Sequence, residues 1–431
     1  MGPPIADHLN NMQINNARMH EAKKGNILAN LVTIFEKTRA NIRGPIIISH
    51  DELYMKVVEA FYKEKGWSDK FSGKFISNKI DEIIIRLVQD DKSSENLPGY
   101  LDAMISELDS YSIEQVVYIP LFGIDMMSCP QIKLGNVIIK CIDENKVAEL
   151  IAEVHHEVRV CFDVIEKINN CVCTEFHIAA EPILALEIAE IETMRAIDLL
   201  RYSIPFAYPT VSDSVRIALQ GDVSRTRRFE IISSSSSESF NTLNSIIGPL
   251  YDFEITPENI KLMKKIGVFK LSKLLGQDKL NSLEKKILSS VHWFANSQMK
   301  TEREDQLLNL MTCLETFFTP EDFRDPIIQN VAEGTALLIE DNEIDRKNTI
   351  TIIRRLYLLR SSLSHHGQGK VRSEDISTLK RIDMIVLTTL IELMEKSNEF
   401  NGKGELQNLI EFKRLGGSIE NWGVYKEKTR T

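Results

Sequence analysis

Seven basic residues, Arg346, Lys347, Arg354, Arg355, Arg360, Lys370 and Arg372, fall between Arg346 and Ser373 with no Asp or Glu among them. In a chain of formal charge -10 such a run stands out, because concentrated Lys and Arg are what phosphate binding requires. The same segment carries His365 and His366, followed by Gly367 and Gly369, which stop a helix and let a backbone pass close to a ligand. A guanidinium clamps a phosphate through paired donors, and an imidazole near its ordinary pKa of ~6.5 gives and takes protons at neutral pH. Arg360 and His365 together suit metal-free cleavage of RNA.

These two residues are five apart, which on a continuous helix sets them about 140° apart around the axis. To serve one phosphate, the helix is expected to end between them, with Leu363 to His366 unwinding ahead of Gly367. Arg354, Arg355, Lys370 and Arg372 are read as RNA-phosphate contacts, with solvated charge as the plainer reading.

The stretch LLRSSLSHHG, Leu358 to Gly367, resembles the Arg-x4-His motif of the HEPN superfamily, specifically its Apea-like branch. Upstream, the helix with Trp293 and the run DQLLNLMTCLETFF, Asp305 to Phe318, are similar to that branch's helices, with Leu314 and Glu315 as its Leu-Glu pair. The resemblance covers Leu280 to about Ser397 and nothing before it. Ser361 stands where many members have Asn.

The resemblance implies a metal-independent endoribonuclease that works as a homodimer, the two motifs facing each other, of the kind that serves as a toxin or anti-phage defence effector. It implies that His365 moves a proton at the ribose 2′-hydroxyl or the leaving 5′-oxygen, with His366 as a second spacing. Arg360 would hold the phosphate charge and Glu315 would orient the Arg or His. A degenerate, non-catalytic RNA-binding or dimerisation module is the alternative. In it, Arg360 and Glu315 are structural ion-pair partners and His365 is a helix cap.

The elements that must position these residues follow from periodicity. Helical spacing recurs in Ile27 to Arg39, Glu52 to Lys65 and Ile76 to Gln89, giving a helical region over 1–110. Val116 to Leu121 and Ile132 to Lys140 read as strands forming a hairpin, as do Val215 to Leu219 and Arg228 to Ile232 on either side of a Gly221-Asp222 turn. Asp143 to Ile168 and Ile183 to Tyr202 read as helices, so 111–277 is a mixed α/β region and the candidate sensor of a trigger. From 278 to 400 every element reads as helix, and 401–431 as a loosely attached polar tail. The fold class is therefore α+β multidomain, ending in an all-α bundle whose fourth helix carries the motif.

Hydrophobic residues make up 43% and charged residues 26% of the 431, as in an ordinary globular protein. The acidic pI near 5.6 excludes a surface that is nucleic-acid-binding throughout. Six cysteines without a CxxC pair point to reduced thiols, and a secretory leader or membrane span is not expected, so the reading is cytoplasmic. His155, His156, Glu157, Cys161, Cys171, Cys173 and His177 lie close in sequence but match neither HExxH nor paired CxxC knuckles. No metal or other cofactor is expected, and no nucleotide-loop or serine-hydrolase signature is present.

Overall fold

The computed structural model describes all residues other than 1–26, 40–50, 63–66, 91, 93, 127, 154–166, 222–228, 233–241, 246–250, 320–326, 367–370, 372–374, 398–399, 401, 418–421 and 423–431, and all their side chains other than those of 61–62, 68, 109, 229–232, 242–245 and 363–366. It is mixed α and β, in two compact units: Met1–Val117 with Phe176–Glu190, and Tyr118–Glu175 with Ile191–Thr431. The chain passes between the units at Val117, at Glu175 and at Glu190, whereas the sequence reading sets boundaries at 110 and 277. Most of the mixed region joins the same unit as the C-terminal helices rather than standing apart from them.

In the first unit, α1 (27–39), α2 (Glu52–Tyr62), α3 (Gly73–Gln89) and α4 (Leu97–Tyr111) surround a core that includes Phe35, Tyr54, Phe71, Ile80, Leu101 and Leu108. Helix α3 starts where Ser72 accepts the Phe75 amide proton at 3.1 Å, and its Ile76, Ile80, Ile84 and Leu87 repeat on one face. Buried Glu181 accepts backbone N–H bonds from Ser72, Ile183 and Leu184, anchoring the start of a later helix.

A five-stranded sheet has the order β3-β4-β5-β1-β6, built from β1 (Ile113–Phe122), β3 (Gln131–Leu134), β4 (Val137–Cys141), β5 (Val172–Ala180) and β6 (Ala218–Leu219). The short β2 (Ile124–Asp125) pairs with β9 (Phe253–Glu254), and β7 (Phe229–Ile232) with β8 (Thr242–Ser245). Two expected hairpins are corrected here. Ile132 to Lys140 is itself the hairpin: Leu134 pairs with Val137 across Gly135-Asn136, where Gly135 takes φ 60°, the left-handed conformation that a two-residue turn demands. β1 therefore lies away from it, and β6 pairs with β1 rather than with β7. The helix expected from Asp143 is α5 (Glu144–Glu153), beyond which residues to 166 lie outside the described set. β5 is a strand absent from the sequence-based expectation. The five serines Ser233 to Ser237 also fall outside the described residues.

Helix α6 (Pro182–Ala207) belongs to the first unit up to Glu190 and to the second beyond it. The second unit continues through α7 (Pro257–Lys265) and α8 (Val268–Leu275). Then come α9 (Ser282–Met299), α10 (Arg303–Phe318), α11 (Ile327–Ile339), α12 (Glu343–His366) and α13 (Ile376–Lys396). Among the described residues from Leu280 to Ser397 every regular element but a short helical turn at each end of α13 is an α-helix. A capping box fixes the start of α9: Asn281 accepts from the Leu283 and Glu284 amides, and Glu284 accepts from the Asn281 amide at 2.7 Å. Helices α9 and α10 are stitched by a reciprocal pair, the Ser290 hydroxyl to the Cys313 carbonyl and the Cys313 thiol to the Ser290 carbonyl.

The described part of the tail between 403 and 414 is packed against the bundle. Residues beyond 402 form α14 (Lys403–Arg414), whose Leu406, Leu409 and Ile410 are buried. The Lys403 ammonium donates to the Thr319 carbonyl at the end of α10, and that of Lys413 to the Leu337 carbonyl in the last turn of α11. Each cation meets the negative end of a helix, which offsets the cost of burying it. No described helix is long and apolar enough to cross a membrane.

Candidate functional site

Helix α12 presents Ile353, Leu356 and Tyr357 to the bundle core and directs its charges to the rim. Its basic side chains meet acids from other elements. Arg354 pairs with Glu333 of α11 at 3.5 Å, and Arg355 with Asp375, which precedes α13, at 2.6 Å. Arg360 pairs with Glu315 of α10 at 3.4 Å, and Lys347 with Glu343 on its own helix at 2.6 Å. Arg346 donates through Nε to the Glu340 carbonyl at 2.9 Å. A run that holds only positive charge in sequence is therefore largely compensated in space, and the anion site it suggested shrinks to the neighbourhood of Arg360. Lys370 and Arg372 lie outside the described residues.

Two groups, Glu315 and the Tyr357 ring, flank Arg360. The Arg360 side chain is 27% exposed, and its guanidinium sits 5.6 Å from the centre of the Tyr357 ring and touches Glu315 with one terminal nitrogen. Its Nε and the second Glu315 oxygen, both buried, have no hydrogen-bond partner among the described residues. Burial, and then the adjacent Glu315 charge, push the Tyr357 phenol up to about 12, so it stays protonated at any physiological pH. Among the described residues only one terminal nitrogen of the guanidinium is bonded, and with Nε buried it is the other terminal nitrogen that is left for an anion. Glu315 is where the Leu-Glu pair was expected to act on the Arg.

The helix does not end between Arg360 and His365, as the convergence of both on one phosphate requires. It runs unbroken to His366. Successive turns of Leu, Tyr, Ser and Arg carry no breaker before Gly367, so the intrahelical bonds continue. Arg360 and His365 are then about 140° apart around α12, and His366 about 120° the other way. The side chains of His365 and His366 lie outside the described set. The chain after the motif is held at Val371, whose amide donates to Glu304 at the start of α10 at 2.8 Å.

A buried charge cluster on α6 and α9 is absent from the sequence-based expectation. Asp198, 3% exposed, accepts from Arg201, 5% exposed, at 3.2 Å and from His292 Nδ1 at 2.7 Å. Arg201 donates through Nε to the Ile217 carbonyl, and the Asn296 amide lies 3.0 Å from His292 Nε2, which fits the neutral ring with its proton on Nδ1. His292 and Asp198 are 94 residues apart, and no motif links them. The hydrogen bond to Asp198 raises the His292 pKa above the ordinary 6.5 against the opposing effect of burial. The folded pKa exceeds the unfolded one, so this stabilisation is complete below pH 6.5 and fades as pH rises through the folded value. Half the ring is exposed, so the loss is about 1 kcal/mol or less. Unfolding free energies from denaturant titrations taken from pH 6 to pH 9 are expected to fall by that amount, and the fall should be absent in His292→Gln. An identical profile in the variant would show that the pair does not titrate in this way.

Among the described residues no group of three or more His, Cys, Asp or Glu converges as a metal site. His155, His156, Glu157 and Cys161 lie outside them. Cys173 is buried on β5, where burial, and then the neighbouring thiols Cys171 and Cys141, raise its pKa to about 12, leaving it a poor nucleophile. His177 is exposed, with Nδ1 3.8 Å from Glu114. Compared with known protein families, curated proteins and solved structures, the chain matches none.

Proposed function

We propose that the protein is a metal-independent endoribonuclease of HEPN type, an effector that cuts RNA when the N-terminal part of the chain senses a trigger, with toxin or anti-phage defence as its setting. The observation that supports this best is the Arg360–Glu315 pair, half-buried, incompletely bonded and one and a half turns before the His365-His366 end of α12. In this reading the substrate's 2′-oxygen forms a bond to phosphorus as the bond to the 5′-oxygen breaks. The products are a 2′,3′-cyclic phosphate and a free 5′-hydroxyl. His365 takes or gives the proton in that exchange, Arg360 faces the charge on the phosphate, and Glu315 is a positioning residue for Arg360.

A second reading, an RNA-binding or dimerisation module without catalysis, is favoured by the paired state of Arg354 and Arg355 and by the divergence of Arg360 from His365 along one continuous helix. Purified protein incubated with total RNA in EDTA separates the two. Cleavage to cyclic-phosphate ends is expected, and its loss in His365→Ala. Intact RNA that is shifted in a gel, together with no toxicity on overexpression, would leave the binding module standing.

A further inference from the structure

Away from the Arg360 neighbourhood, a cleft of about 440 Å³ opens between the first half of α12 and α13, closed at one end by Ile339 and Glu340. Its volume falls within the ~300–1,000 Å³ of small-ligand sites. The lining combines apolar, cationic, amide and acidic side chains, Asp345 with Glu340 among the acids. Ile352 and Ile385 form an apolar wall continued by Met384, which is 55% exposed although it is a large apolar side chain on a regular helix. A thioether beside aliphatic carbons makes a surface on which a flat ring packs well.

At the α13 rim stand two adjacent cations, Lys380 and Arg381. Among the described residues neither has an ion-pair or hydrogen-bond partner, whereas every described basic residue of α12 is engaged. Across the cleft, the Glu340 carboxylate takes the Thr349 hydroxyl at 2.9 Å with one oxygen, and the Asn348 amide has no partner among the described residues. An amide and a carboxylate oxygen offer one donor group and several acceptors.

We propose that this cleft binds a small ligand of the mononucleotide class, its phosphate on Lys380 and Arg381, its ring against Ile352 and Met384, and its hydroxyl or amino groups on Asn348 and Glu340. The three features fit one molecule: a single anionic end, a flat body and hydrogen-bonding edges. The cleft is too small for a nucleic-acid strand. The inference stands apart from the nuclease reading, since none of these residues belongs to the Arg360 site.

The test is calorimetric titration of the full chain with the four common 5′-monophosphates, with adenosine and inorganic phosphate as the separated halves. Saturable binding of at least one monophosphate is expected, about tenfold or more tighter than either half. Lys380→Ala/Arg381→Ala, two changes at the rim, should weaken it about tenfold or more, as should Met384→Glu, which sets a negative charge on the ring wall. Arg360→Ala should leave it unchanged. No saturable binding at millimolar ligand would overturn the proposal. So would binding that survives the double substitution, or binding lost instead in Arg360→Ala, which would seat the ligand at the motif.

Discussion

Asp198→Ala is expected to destabilise the second unit by about 3–5 kcal/mol, the cost of removing one partner of a buried ion pair. The carboxylate is buried between Arg201 and His292, and its removal strips the Arg201 guanidinium, itself 5% exposed, of that acid while the Nε bond to the Ile217 carbonyl stays. A second guanidinium makes this worse. Burial, and also the Arg201 charge, already hold the Arg216 pKa below the usual range, against the favourable pull of Asp213. Without Asp198 two partly desolvated cations would face each other with less to offset them. Asp198→Asn keeps the shape and one acceptor, so a smaller loss is expected, and His292→Ala should cost least because half the ring meets water. Trp293, with its ring 5.7 Å from that of His292, gives a local fluorescence signal for the denaturant transition. An Asp198→Ala midpoint within about 1 kcal/mol of wild type would mean that water or rearrangement satisfies Arg201.

That cluster and the C-terminal helices differ in how far sequence reveals them. The starts and ends of α9, α10, α11 and α13 can be read because the information is local: apolar residues repeat at helical intervals and Asn281 with Glu284 spells a capping box. At two places local information is present but ambiguous. Gly135 punctuates the chain as a strand boundary would, yet with Asn136 it makes the tight turn of a hairpin, and Leu406, Leu409 and Ile410 carry the spacing of a buried helix face inside a largely polar stretch. The strand β5 is obscured because its Cys173 and His177 have the chemistry of ligands, which masks their place in an alternating strand pattern. The partners of the basic run are not legible in principle. Glu315 is 45 residues from Arg360 in sequence, and Asp375 lies beyond the Gly367 break from Arg355. Charge patterning along a chain does not reveal which acids the fold brings alongside, so the described members of a basic run resolve into four ion pairs, of Lys347, Arg354, Arg355 and Arg360, and one bond from Arg346 to a carbonyl.

On the proposed ribonuclease reading, the unbroken α12 calls for a second copy of the chain. In one chain the positions of Arg360 and His365 lie about 140° apart around α12, and a single motif also lacks a second proton carrier for a reaction that needs both an acid and a base. Two copies related by a two-fold axis resolve both problems, with the Arg360 of each chain facing the His365 of the other across one cleft. The exposed Leu358, seven residues before His365 on the same stripe of the helix, would then lie in the shared interface. Arg360→Ala and His365→Ala homodimers are each expected to lose about 10²–10³ in cleavage rate, the scale of removing one charge-stabilising or proton-transfer group. Mixing the two variants should give a rate above either alone but well below wild type, because a heterodimer keeps one Arg360 facing one His365 while remaining one proton carrier short. Glu315→Gln should fall between wild type and Arg360→Ala, with the loss in turnover rather than in RNA affinity, since its part is to hold the guanidinium in place. A monomer at micromolar concentration that cuts at full rate, with no recovery on mixing, would rule out the shared cleft. It would require α12 to unwind after Arg360 when RNA binds, bringing His365 or His366 back beside the guanidinium in a single chain.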